Sequence, residues 1–282
     1  MKPVFRDALP APALRGWVSR YQIIQLDFRS VAAAPAKAYW PRPACALAFY
    51  PRDPEIVSRP SAGLSVTKPR AVLIGQATAM EYRCGGRDFC VFQVEFRPGA
   101  LFRLTGGLRS VELTDGFVDA EVVLGRDVAS AASALSAVDT ADAMVPIVDE
   151  LMSRLVARAE QRRRIDGHAA DWAAHQLGVG ATGSLSRLAD RAGLSTRQLH
   201  RSFLDRIGVE PSVFGRIARF DRLLRARNTH HDWDWLSLAL DAGYHDHRHM
   251  ARDFQAFTGL SPSAFYRQEL EAPERHFGHL EM

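Results

Sequence analysis

Two sets of side chains able to hydrogen-bond with nucleic acid stand in the last hundred residues: Arg197, His200 and Arg201, then His247, Arg248 and Arg252. A guanidinium forks onto guanine edges or phosphate oxygens, and an imidazole donates or accepts there. Each set sits in the same surrounding pattern. Ala189–Asp190–Arg191–Ala192–Gly193 reappears fifty residues on as Ala239–Leu240–Asp241–Ala242–Gly243. Leu199, Arg201, Phe203, Gly208, Pro211, Ser212 and Phe214 reappear fifty-one residues on as Met250, Arg252, Phe254, Gly259, Pro262, Ser263 and Phe265. The change of offset places one extra residue between the second glycine and the helix that follows it.

Each repeat reads as a helix–turn–helix. Ala189 with Ala192, and Ala239 with Ala242, give small faces on which two helices cross closely, and Gly193 and Gly243 end the first helix with positive φ. Leu199 with Phe203, and Met250 with Phe254, lie four apart and form the buried stripe of the second helix. That stripe turns Arg197, His200 and Arg201 outward near one helix N-terminus, and His247, Arg248, Ala251 and Arg252 outward near the other. Groove-reading helices carry base contacts at this place. A solvated polar face is the plain alternative for any one helix; two matched motifs weigh against it.

The whole segment is helical by pattern. Helices are predicted over Asp166–Leu177, over Leu185–Ala192 behind Ser184, from Ser195 to Arg206, and over Pro211–Asn228. Further ones follow over Trp235–Ala242, from Asp246 to Phe257, and from Ser261–Pro262 onward. Pro211–Asn228 covers about 25 Å if helical, enough to seat two reading helices in successive major grooves about 34 Å apart. Arg216, Arg219, Arg222 and Arg225 recur every third residue along it. One or two are expected to reach phosphate, the others to be solvated or paired with Asp221.

The run Gly243–Tyr244–His245–Asp246–His247–Arg248–His249–Met250–Ala251–Arg252–Asp253–Phe254, then Gly259–Leu260–Ser261–Pro262, resembles the signature of the AraC/XylS family. The resemblance extends over about 100 residues, Ser184 to Arg267. It implies a seven-helix domain with two helix–turn–helix units joined by a long helix, in a bacterial transcription regulator. Carried over, it implies DNA contacts from Arg197, His200 and Arg201 in the first reading helix and from His247, Arg248 and Arg252 in the second. His247 and His249 depart from the family, which more often has amides or hydroxyls there.

The first 125 residues read as β-rich. Ala44–Tyr50, Ala71–Gly75 and Phe89–Phe96 are short apolar runs bounded by Pro, Gly and charge. Phe92, Val94 and Phe96 share one face against Gln93 and Glu95, as in a half-buried strand, and Arg97–Pro98–Gly99 stops it. Ala100–Gly106 begins a short helix beneath the sheet. Helices follow over 127–138 and 141–160, the second carrying Met144, Ile147, Val148, Leu151, Leu155 and Val156 on one stripe. Val94–Ala100 followed by Leu104–Gly106 resembles the small β-domains that precede this helix–turn–helix in a subset of the family. Trp17, Tyr21, Tyr39 and Trp40 either line a small-molecule pocket or pack as ordinary core.

Composition sets the outer limits. The chain has 282 residues, enough for two domains, and a formal net charge of +4. Its pI near 9.2 permits a nucleic-acid partner without demanding one. Lys2, Lys37 and Lys68 are the only lysines, so arginine carries the positive charge. Cys45, Cys84 and Cys90 form no CxxC pair, which fits free thiols in a reducing compartment. No apolar run approaches the roughly 18 residues of a membrane span, and a cytoplasmic location is expected. All ten histidines lie at or beyond His168, which excludes a histidine-ligated metal or a His-based triad in the first half. His245, His247 and His249 scatter over different faces of a helix, so no metal site is expected; their protonation below about pH 6.5 would add charge toward DNA. No phosphate-binding glycine loop or nucleophile elbow appears.

The expected fold is thus α+β in two domains. Residues 1–160 form a β-rich sensor or dimerisation domain with trailing helices. Residues 161–282 form an all-α, DNA-binding domain of about seven helices. Double-stranded DNA is the expected partner, with RNA polymerase, a small-molecule effector and a second copy of the chain beside it; no cofactor, catalytic residue or membrane is expected. A DNA-localised enzyme, or a dimerisation scaffold that senses nothing, are the alternatives.

Overall fold

In the first half of the chain, side chains alternate between two apolar environments, and that alternation sets the architecture. The computed structural model describes residues 3–30, 34–59, 63–162, 168–180, 184–230 and 232–270. The strands are β1 (Val4–Ala8), β2 (Val18–Asp27), β3 (Ala36–Tyr39), β4 (Ala46–Phe49), β5 (Ile56–Arg59), β6 (Leu64–Thr67), β7 (Ala71–Ile74), β8 (Glu81–Cys84), β9 (Asp88–Phe96) and β10 (Phe117–Asp119). They build a six-stranded sheet in the order β1-β2-β9-β4-β7-β10 and a four-stranded sheet in the order β3-β8-β5-β6. Every pairing is antiparallel.

The larger sheet is covered on both faces. Tyr21, Ile23, Leu47, Phe49, Leu73, Phe92 and Val94 turn one way into a core shared with α1 (Ala100–Leu104), α2 (Ala120–Leu124), α3 (Arg126–Ser136) and α4 (Ala141–Gln161). Ile24, Leu26, Ala48, Val72, Phe89 and Val91 turn the other way into a second cluster. β9 is therefore more deeply buried than a half-buried strand: only at Gln93 and Glu95 does its second face come out. Trp17 and Tyr21 belong to the first core, where the Tyr21 hydroxyl donates to Asp149 on α4 (2.7 Å).

Seven helices form the second half: α5 (Ala169–Gly178), α6 (Leu185–Arg191), α7 (Thr196–Arg206), α8 (Pro211–Thr229), α9 (Trp235–Asp241), α10 (His247–Thr258) and α11 (Pro262–Leu270). The boundary expected at 160–161 lies beside residues outside the described ones, and the predicted helix start at Asp166 falls on them. Among the described residues α5 begins at Ala169, because His168 caps it by accepting the Ala170 amide on Nδ1 while Asp171 reaches back to the His168 amide. Two apolar clusters lie along α8, one with α5, α6 and α7, the other with α9, α10 and α11.

Both halves meet directly. The Ser110 and Thr114 hydroxyls donate to the carbonyls of Arg206, at the end of α7, and Gly208, just beyond it (3.0 and 2.6 Å), and Arg109 pairs with Asp205. Trp40, at the end of β3, is buried with Ile217, Phe220, Leu238, Met250 and Phe254. This side chain completes the core of the second helical unit, its Nε1–H donating to Asp221 (3.2 Å).

Candidate nucleic-acid interface

The first unit is built by α6 and α7. Gly193 turns the corner at φ 66°, where an L side chain is strained, and the Leu194 amide returns to the Ala189 carbonyl (3.0 Å). Ser195 then caps α7 in a reciprocal box with Gln198. Leu199 and Phe203 are fully buried. On the opposite face Arg197 and Arg201 are exposed and His200 is half-buried.

The second unit repeats this with one residue more. Gly243 turns at φ 89°, the Tyr244 amide returns to Ala239 (2.8 Å), and Asp246 caps α10 by accepting the His249 amide (2.7 Å). Met250 and Phe254 are fully buried, while His247, Arg248 and Arg252 are exposed. Among the described residues none of the six predicted contact side chains makes an internal hydrogen bond or ion pair. The offset of fifty-one also sets the exposed Thr196 against His247, a position the reading of α7 from arginine and histidine alone passes over.

The arginines of α8 behave differently, and Arg225 takes the expected Asp221 while the others find partners that spacing did not suggest. Arg216 pairs with Asp253 (2.7 Å), Arg219 lies 3.6 Å from the same carboxylate, Arg222 donates to the Leu177 and Gly178 carbonyls, and Arg225 pairs with Asp221. All four bond within the domain: Asp253 of α10 and the end of α5 flank α8, and Asp221 lies on α8 itself. Only Arg225 uses Asp221. His249 likewise points inward, its Nε2 3.2 Å from an Arg219 nitrogen and its ring against Tyr244 and His245.

A second feature lies between the two sheets. Phe5, Ile24, Leu26, Phe28 and Phe89 from the large sheet face Lys37, Tyr39, Glu55, Arg83 and Gly85 around a cavity of about 30 Å³. Lys37 and Arg83 stand directly opposite each other in the β3–β8 ladder, an unfavourable like-charge pair unless carboxylates sit near. Glu81 supplies one, bonded to Arg83 and Arg59; burial works against its charge, yet Arg83, Lys68 and Arg59 together hold it at about 2. Glu55 pairs with Lys68 (2.6 Å), whose own value is pushed down to about 8 by burial and by Arg83.

The cysteines are free, and Cys84 and Cys90 lie in different sheets. Burial pushes Cys45 up to about 12 and Cys90 to about 11, and raises Cys84 as well, so none is an activated thiolate at neutral pH. Among the described residues no group of three or more His, Cys, Asp or Glu is placed to hold a metal ion, and no helix is long and apolar enough to cross a membrane.

Fold and site together define a two-part protein: a β-sandwich with packed helices, joined to a tandem helix–turn–helix. A family model described as a helix-turn-helix domain matches residues 188–268, and this part of the chain is an AraC-type helix–turn–helix domain. No curated protein matches the sequence. The structure of ToxT from Vibrio cholerae strain SCE256 with bound unsaturated fatty acid is similar at a TM-score of 0.50 and 10% identity, over 93% of this chain and 97% of that one. ToxT from Vibrio cholerae O395 bound to (E)-4-(8-methylnaphthalen-1-yl)but-3-enoic acid is similar at 0.50 and 8% identity, over 88% and 98%. At such identities the likeness is one of fold.

Proposed function

We propose that this chain is a transcription regulator that binds double-stranded DNA sequence-specifically. In this reading α7 and α10 enter successive major grooves and the β-sandwich responds to a small molecule. The observation that carries it is the contrast among cationic side chains: those of α8 are bound internally, whereas Arg197, Arg201, Arg248 and Arg252 are left outward at two matched helix N-termini. α8 has 19 residues, about 28 Å of helix, which suits readers one DNA turn apart. The cavity between the sheets supports the sensing part. At about 30 Å³ it holds little more than water, so an effector enters only by displacing side chains such as Lys37 or Tyr39. Lys37 and Arg83 offer charge to an effector bearing a carboxylate, against Glu55 of the same lining, and both ToxT ligands named above are acids.

Such a regulator works in the cytoplasm, is not an enzyme, and has RNA polymerase and a second copy of itself as natural further partners. The test is selection of bound sequences from random DNA, followed by titration. Arg201→Ala and Arg252→Ala should each cost about 1–3 kcal/mol at particular base pairs, and binding should fall steeply with salt. Equal losses on random DNA would reduce these arginines to phosphate contacts, and no selected sequence would defeat the reading.

A further inference from the structure

We infer that β3 and β8 tie the cavity directly to the second reading unit, with Trp40 as the residue that positions it. This deepens the regulator reading above and rests on it only for the DNA readout. Lys37 and Tyr39 of β3 line the cavity, and the very next residue, Trp40, is buried in the core around α8, α9, α10 and α11. Its indole packs edge-on against Phe265 of α11 (5.9 Å between ring centres) and donates to Asp221 of α8.

The neighbouring strand repeats the arrangement. Arg83 and Gly85 border the cavity, while at the other end of β8 the Met80 amide donates to the Phe257 carbonyl (2.8 Å). Phe257 lies in the last turn of α10, the reading helix itself. Tyr82 meets Gln268 of α11 (3.1 Å). Lys37 opposes Arg83 and Tyr39 opposes Glu81, and the Arg83 guanidinium sits 4.3 Å from the centre of the Tyr39 ring, so the two strands move as one piece.

The first reading unit is anchored elsewhere. Arg109, Ser110 and Thr114 hold the end of α7, and Arg206 lies over Phe102 of α1. None of these residues borders the cavity. Displacing Lys37, Tyr39 or Arg83 therefore acts directly on α10, whereas α7 is reached only by the longer route through Glu81, Arg59 and the Asp115 carbonyl beside Thr114. Occupancy of the cavity changes which half of the operator is read.

The experiment uses the full chain, its selected operator, and two versions of that operator in which one half is scrambled. Trp40→Ala should lower affinity for the intact operator about tenfold, and about twofold or less where the α10 half is scrambled, since a lost interaction shows only where it is made. Trp40→Phe keeps an apolar plug and should recover most of the loss. With 5-fluorotryptophan incorporated, Lys37→Met should shift the fluorine resonance of Trp40, assigned by its loss in Trp40→Phe, and leave those of Trp17 and Trp172 in place. Equal losses at both halves, or a Trp40 resonance unmoved by Lys37→Met and by Tyr39→Phe, overturns the inference. If Trp40→Ala does not fold, Trp40→Phe and Lys37→Met decide it. If the wild-type chain selects no operator, the regulator reading fails and the fluorine shift still decides the coupling.

Discussion

At the scale of single residues the β-sandwich holds charges that most cores avoid. The Glu81 side chain is 7% exposed, yet its three cationic neighbours keep it ionised. Its value falls from the ordinary 4.5 to about 2 on folding. The unfolded carboxylate therefore takes up a proton first, and the stability Glu81 contributes is fully present above 4.5 and lost as pH falls toward 2. That contribution is about 3 kcal/mol. Glu81→Gln should flatten the acid limb of a plot of urea midpoint against pH; an unchanged limb would assign acid sensitivity to other groups. Lys68 gives a slope of the same sign for the opposite reason: burial disfavours its charge, so with a value of about 8 the fold gains stability as pH rises between there and 10.5. His249 is lowered by burial and by Arg219, so mild acid does not readily add its charge to the reading face.

At the scale of elements, capping and stripe residues fix each helix, and ion pairs fix how helices sit together. The Ser184, Ser195 and Asp246 caps and the Leu199–Phe203 and Met250–Phe254 stripes are local signals and were readable from spacing alone. Asp171 with Arg206, thirty-five residues apart, and Asp253 with Arg216, thirty-seven apart, were not, because nothing local marks a partner that arrives by folding. The same blindness hid the partners of Arg216, Arg219 and Arg222, while Asp221, four residues before Arg225, was within reach of spacing. Asp253→Ala should cost about 2 kcal/mol, a moderate value since the Arg216 side chain it strands is 40% exposed. Urea unfolding gives that number. Competition with half-scrambled operators should place the affinity loss at the α10 half; a loss at the α7 half would show that the pair serves only general stability.

At the scale of the whole molecule, the β-sandwich touches both reading units through separate contacts, so the two are joined twice: once by α8 and once through the sandwich. Gly99 shows how close that contact is. It holds φ 75° and a β-carbon there would lie 2.0 Å from an Asp171 carboxylate oxygen. Gly99→Ala should therefore push α5 from the sandwich and break the Asp171–Arg206 pair, costing about 3 kcal/mol through strain and an unpaired buried charge. Limited proteolysis should then release the helical half faster. Cleavage at the wild-type rate would show that the junction yields without strain.

The sequence by itself determined the tandem helix–turn–helix, its caps and corner glycines, the outward sets at Arg197, His200, Arg201 and at His247, Arg248, Arg252, and the presence of strands before them. These follow from periodicity and local backbone preference, which act within a turn or two of chain. Only the tertiary structure decided that Trp40 leaves the sandwich to finish the core of the second unit, that the α8 arginines are used internally, and that Lys37 faces Arg83 across a cavity. Those outcomes depend on which surfaces meet after the chain has closed loops of dozens to nearly two hundred residues, and short-range spacing carries no record of them.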